Sequence, residues 1–244
     1  MTEREEVLLE PGYILHQRPY RNSSLIVDCL TAPYGRQVLV ARGARRPDAR
    51  RRSALQPFRP VLLSWVRRSE MGNLTHVEHG AHAIELRGDS LLGGFYLNEL
   101  LLRLVPRGDH NEEIMSCYSS CLGRLAENRN PARALRIFEI ELLEALGYRL
   151  DLEHDYRTGE SIDPNREYCF ENEGGLTASD TNAAMPGYSG KHLISLRERL
   201  LDDSESLRAA RRLLAGALHV HLGERPLKTR DVMREMAERG LAGR

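Results

Sequence analysis

Apolar positions in the first third of the chain fall in short clustered runs. Gly12–His16 is a brief extended segment, and Ser24–Leu30 is rich in aliphatic and β-branched side chains. Pro33-Tyr34-Gly35 then supplies a turn, with proline fixing φ and glycine tolerating positive φ. Val38, Leu39 and Val40 continue the pattern within Gln37–Ala41, and Val61–Val66 repeats it. Gly72-Asn73 marks a hairpin into Leu74–Leu86. The pattern predicts about five short strands, with one long loop between the third and fourth. That count fits a five-stranded barrel of the oligonucleotide/oligosaccharide-binding type, and another small barrel satisfies it equally.

After residue 86 the period becomes helical. Asp89-Ser90 can cap a helix that carries Leu91, Phe95, Leu101 or Leu102, and Val105 at helical spacing and stops at Pro106. A second helix is expected over Glu112–Ala126. A third runs from Pro131 to a stop at Gly147, with Leu135, Phe138, Leu142 and Leu146 in one stripe. Three successive helices predict a compact bundle. Residues 150–187 are polar and interrupted by glycine and proline, and predict a small hairpin around Tyr168-Cys169-Phe170 and Leu176, turning at Gly174-Gly175. Helices resume over Gly190–Leu201, Ser204–Leu222 and Asp231–Arg239. The expectation is an α+β chain: a barrel at 1–86, a helical bundle at 87–149, and at 150–244 a hairpin region whose C-terminal helices pack on the bundle.

Charge sharpens this picture. The formal net charge of +0 hides 13 arginines against 8 acids in residues 1–80, and 22 basic against 27 acidic residues thereafter. The excess is concentrated between 36 and 52, where Arg36, Arg42, Arg45, Arg46, Arg50, Arg51 and Arg52 face a single acid, Asp48. A basic loop between strands is a natural seat for a phosphate backbone, because each neutralised phosphate releases condensed counterions. A solvated charge run is the plainer alternative. Tyr20 and Tyr34 lie at turns and offer stacking faces, whereas core packing is the better reading of Phe58. A second basic cluster joins Arg208, Arg211 and Arg212, at helical spacing, to Arg225, Lys228 and Arg230. An ordinary exposed helix face explains it as simply.

Other chemistry is sparse. The N-terminus lacks a basic region followed by an apolar run, and no stretch reaches membrane length, so an intracellular protein is expected. Cys29, Cys117, Cys121 and Cys169 form no Cys-x-x-Cys pair and read as small apolar side chains. His76, His79 and His82 alternate faces on a strand and do not converge. Neither a His-Glu-x-x-His motif nor a phosphate-binding Gly-Lys-Ser/Thr loop occurs, and Ser64, Ser119 and Ser120 lack a nucleophile-elbow context. A non-enzymatic protein without cofactor or metal is expected.

LHQRPYRNSSLIVDCLT (15–31), GRQVLVARGARR (35–46), ALQPFRPVLL (54–63), YLNELLLRL (96–104), ALRIFEIELLEALGY (134–148) and HLGERPLKTRDVMREM (221–236) occur in an order and spacing that resembles the RecO family, bacterial recombination mediators of the RecF pathway. The proteobacterial form is the nearest likeness. The resemblance implies binding of single- and double-stranded DNA, annealing of complementary strands, and contact with the acidic C-terminal tail of single-strand-binding protein. It also implies partnership with RecR in loading RecA, and a cytoplasmic, nucleoid-associated place of action. It assigns the tail to the helical bundle, where Arg133 and Arg136 beside Leu135, Phe138 and Leu142 are the candidate pocket. Many relatives carry a four-cysteine zinc motif after the third helix. Here that stretch holds only Cys169 and His154, too few for a tetrahedral site, so the hairpin should be held by packing. The competing reading is a protein-only adaptor whose arginines meet acidic partners.

Overall fold

In the computed structural model the described residues are 4–46, 53–68, 71–80, 84–171, 175–179 and 187–238. Strands β1 (Glu5–Tyr20), β2 (Ser24–Thr31), β3 (Gly35–Ala41), β4 (Pro60–Arg67) and β5 (Gly72–His79) close a barrel in the order β1-β2-β3-β5-β4. Every pairing is antiparallel except β3 with β5, which is parallel and short, Leu39 to Gly72 and Val40 to Asn73. This is the oligonucleotide/oligosaccharide-binding topology. Val27, Cys29, Leu39, Leu63 and Trp65 fill its interior. Removing such side chains from water is the main favourable term holding the strands together.

β1 is much longer than the expected Gly12–His16 because two bulges break its alternation. At the first, between Val7 and Glu10, the Leu9 N–H donates to Ser64 Oγ at 3.0 Å. At the second, between Ile14 and His16, the Leu15 carbonyl accepts from Asn98 Nδ2 at 2.7 Å. A side chain thus satisfies a main-chain group that each bulge exposes, as a buried backbone requires.

Helices α1 (Gly88–Leu104) and α2 (Glu112–Glu127) follow the barrel. Asp89-Ser90 does not cap α1. The capping position is Arg87, with no side-chain hydrogen bond, and Asp89 lies inside the first turn. α2 is capped by Asn111 and ends at Asn128, whose left-handed backbone (φ 51°) suits asparagine. Asn98 of α1 also accepts from Tyr118 Oη of α2 at 2.6 Å, so one buried amide ties barrel, α1 and α2 together.

α3 (Pro131–Ala145) is capped by Asn130 and carries proline in its first turn. Beyond it lie the small sheet β6 (Glu167–Glu171), β7 (Gly175–Ala178) and β8 (Tyr188–Ser189), then α4 (Gly190–Arg197), α5 (Ser204–Leu222) and α6 (Lys228–Glu238). The predicted turn residue Gly174 and helix end Arg239 lie outside the described residues.

The chain divides into two compact units, Met1–Arg129 with Leu227–Arg244, and Asn130–Pro226. This division differs from boundaries at 86 and 149: α1 and α2 belong with the barrel, and the last helix rejoins it. Both Glu99 oxygens accept there, from the Lys228 N–H at 2.9 Å and from the Thr229 N–H and hydroxyl at 2.9 and 2.6 Å. Burial disfavours the Glu99 charge, but these donors and Arg103 outweigh it and lower the pKa.

Candidate nucleic-acid interface

The β1–β2 turn, the exit of β3 and the start of β5 meet at one end of the barrel. They enclose an open groove of about 600 Å³ lined by Tyr20, Arg21, Arg42, Arg46, Met71 and Asn73, among others, with no carboxylate among the described lining residues. The segment after β3 is held by its own backbone. Gly43 adopts φ 69°, Arg46 N–H bonds Gly43 O at 3.0 Å, and Arg45 N–H bonds Ser23 O at 3.0 Å. Buried Ala44 anchors it, leaving Arg42, Arg45 and Arg46 exposed. Arg42 Nε donates to Asn73 Oδ1 at 3.1 Å, and the Arg21 guanidinium lies 5.1 Å from the Tyr20 ring centre. Guanidinium forks beside an aromatic face suit phosphates flanking an unpaired base.

The structure sorts the other expected residues. Arg36 does not join this groove: its side chain is 12% exposed, pairs with Asp28 at 3.1 Å and donates to Val105 O at 2.9 Å. It is a cross-strand brace between the barrel and the end of α1. Tyr34 sits at the opposite end of β2 from Tyr20, packed edge-on against Trp65 at 5.1 Å between ring centres. Arg50, Arg51 and Arg52 lie outside the described residues, as does His82. Arg21, Met71 and Asn73 escaped the sequence reading. Arg21 follows Tyr20 at a turn and was the one with a visible signal.

The second basic cluster is split between the two units. Arg208, Arg211 and Arg212 are exposed on α5, with Arg212 Cζ 4.3 Å from the Tyr188 ring centre and its Nη2 donating to Gly187 O. Arg230 belongs to the barrel unit and donates to Tyr96 Oη at 2.9 Å, while Lys228 has an exposed side chain there.

The residues of the expected peptide pocket on α3 are mostly buried. Phe138 and Leu142 are fully buried, Leu135 is nearly so, and Arg136 pairs at 2.6 Å with Glu139, itself completely inaccessible. Arg133 donates to Arg199 O at 2.9 Å. Leu135, Phe138 and Leu142 belong to the core of this unit. The same unit has a recess of about 500 Å³, bordered by the C-terminal half of α3, lined by Arg149, Arg197 and Arg199 together with Ile140, Leu150 and Leu152. Glu144 and Glu153 also line it, paired to Arg199 at 2.6 Å and to Arg149 at 3.3 Å.

Among the described residues one group has metal-ligand chemistry: donor atoms of His192, Asp203 and Glu205 lie within 4.8 Å of one another. Asp203 already caps α5, accepting from Ser206 Oγ, Ser206 N–H and Glu205 N–H. These bonds, led by the Ser206 hydroxyl, bring its pKa down to about 2. Capping and the His192–Glu205 contact at 3.7 Å account for the cluster.

Barrel, helical region and arginine-lined groove define an α+β protein built on an oligonucleotide/oligosaccharide-binding barrel. Sequence comparisons make the assignment particular. Residues 6–81 match the family model for the Recombination protein O N terminal, and residues 86–231 match that for the Recombination protein O C terminal. The chain is 40% identical over 229 residues to DNA repair protein RecO of Methylococcus capsulatus, covering 93% of each chain. It is 40% identical over 241 residues to that of Nitrosococcus oceani, covering 98% of this chain and 97% of the relative. For Haemophilus influenzae the identity is 37% over 224 residues, 92% and 94% of the two chains. The chain belongs to the RecO family of DNA repair proteins.

Proposed function

We propose that this protein is a non-enzymatic recombination mediator that binds single- and double-stranded DNA at the basic end of its barrel and anneals complementary strands. The observation that carries this reading is the convergence of Arg21, Arg42 and Arg46 beside Tyr20 in a groove whose described lining residues include no carboxylate. Backbone phosphates are held there without base recognition, and Arg45 extends the cationic edge. Arg50, Arg51 and Arg52 follow in sequence and add charge to the same loop. Arg208, Arg211 and Arg212 serve as a separate phosphate contact on the second unit. No helix among the described residues is long and apolar enough to cross a membrane, in keeping with a place of action in the cytoplasm at the nucleoid.

The protein also engages RecR and the acidic tail of single-strand-binding protein, on the way to RecA loading. With the α3 stripe buried, the recess at Arg149, Arg197 and Arg199 is the better receptor for the tail, since it offers cations around an apolar floor. An incoming carboxylate there competes with Glu144 and Glu153.

Charge reversal tests the reading. Arg42→Glu with Arg46→Glu is expected to weaken binding to oligonucleotides of any sequence alike. It is also expected to flatten the salt dependence by about 0.7 in log–log slope per lost single-strand phosphate contact. Unchanged affinity and slope remove the groove from the DNA site. Binding of acidic peptide with no DNA binding favours the protein-only adaptor, whereas salt dependence is shared by both readings.

A further inference from the structure

The barrel unit holds a second recess, of about 520 Å³, between residues 53–59, 84–87 and the start of α1. Its floor is an aromatic pair. Phe58 is 5% exposed and Phe95 is 44% exposed, their rings edge to face at 5.0 Å and 77°. A phenylalanine has no polar atom to reward exposure, unlike the exposed Tyr148 and Tyr156.

The pair is built rather than incidental. Phe58 adopts φ 68°, a left-handed conformation that is strained for a bulky side chain. Gly94 makes room for it, since a Cβ there would fall 2.9 Å from Phe58 Cε1 and 2.7 Å from Leu86 Cδ1. Strained backbone and a glycine in α1 together fix one ring beneath the other. Arg59 and Arg87 line the same recess, and the one acid among its described lining residues, Glu85, is engaged by Arg87 at 2.9 Å. The recess is therefore cationic around a flat apolar face.

We propose that the open face of Phe95 stacks an unpaired nucleobase of a single strand whose flanking phosphates meet Arg59 and Arg87. This rests on the DNA-binding reading above and adds a site separate from the Tyr20 groove. Base and phosphate alternate along a strand as ring and guanidinium do here. A duplex keeps its bases stacked inside and cannot use the shelf. The site holds a base unstacked and ready to pair with an incoming complement.

The test measures binding of the full chain to three ligands of equal length: oligo-dT, an oligomer of abasic units, and a duplex. Phe95→Leu keeps an apolar side chain but removes the π face. It is expected to weaken oligo-dT binding by about fivefold or more, the low end of one lost stack, and to leave the abasic strand and the duplex unchanged. Phe95→Trp is expected to bind like the parent and to lose indole emission on adding oligo-dT but not the abasic strand. Fully buried Trp65 gives a constant background. Parent-like oligo-dT binding by Phe95→Leu, equal losses for all three ligands, or an unquenched Phe95→Trp that still binds would each overturn the proposal. Parent-like DNA binding with lost binding of an apolar peptide would assign the recess to a protein partner. Failure of the parent to bind any strand would instead sink the DNA-binding reading itself.

Discussion

Replacing Asp155 by asparagine should loosen the loop that follows Leu152. Asp155 is 4% exposed, and both its oxygens accept main-chain hydrogen bonds. Oδ1 takes the N–H of Arg157 at 2.8 Å and of Thr158 at 3.1 Å, and Oδ2 takes that of Ala178 at 2.6 Å. One carboxylate thus ties the loop after Leu152 to β7, alongside the Tyr156 N–H to Leu176 O bond at 2.7 Å. Burial disfavours its charge, yet the bonds from Ala178, Thr158 and Arg157 and the field of Arg166 prevail, and the pKa falls below the ordinary aspartate value. Asparagine keeps the Oδ1 acceptor but turns an N–H₂ toward the Ala178 N–H. A charge-assisted bond worth about 1.5–3 kcal/mol is lost and a donor is left unpaired, so about 2–4 kcal/mol of local stability should go. The assay is amide hydrogen exchange of the full chain, in which protection of 175–178 is expected to fall about 30- to 1,000-fold, tenfold for each 1.4 kcal/mol. The contribution needs the ionised form, whose pKa is lower folded than unfolded. It is therefore complete above the unfolded value of about 3.9 and fades as pH falls through the folded one, narrowing the gap between parent and variant. Equal protection of parent and Asp155→Asn at pH 7, or a gap that widens toward acid, refutes this account.

Two further outcomes follow from buried polar and thiol groups. Asn98→Leu strands the Leu15 carbonyl and the Tyr118 hydroxyl, and is expected to lower the stability of the barrel unit by about 2–4 kcal/mol in urea denaturation. Cys29 is inaccessible, and burial, reinforced by Asp28, pushes its thiol up to about 12. Maleimide at pH 8 should therefore label half-buried Cys169 first, with Cys29, Cys117 and Cys121 reacting only in urea, as read by mass spectrometry.

Much of this fold is legible because local signals agree with it. Proline in its first turn and the Gly147 stop bound α3 closely, and Ser204–Leu222 is bounded as expected because Asp203 and Gly223 flank it. β1 was underestimated because bulges interrupt alternation, and their partners Ser64 and Asn98 are far away in sequence. Candidate-site residues were harder to judge, since exposure depends on register. Arg36 looked like one more loop arginine, but the β2–β3 register sets it opposite Leu30, two positions from Asp28. Arg136, which sequence offers as a cation beside a peptide pocket, is buried and paired with Glu139 inside the second unit. Phe95 shares the helical spacing of Leu91, Leu101 and Val105, yet it is 44% exposed.

The return of Leu227–Arg244 to the barrel unit bears on how the protein is made. A ribosome releases the barrel, α1 and α2 first, but the Lys228 and Thr229 amides that Glu99 awaits come only after all of Asn130–Pro226 has been synthesised. At typical elongation rates that interval is roughly 5–20 s. Throughout it the nascent chain carries a barrel lacking its closing helix beside a growing second unit. Nicks or deletions near the C-terminus should therefore register as defects of the earliest-made part of the molecule.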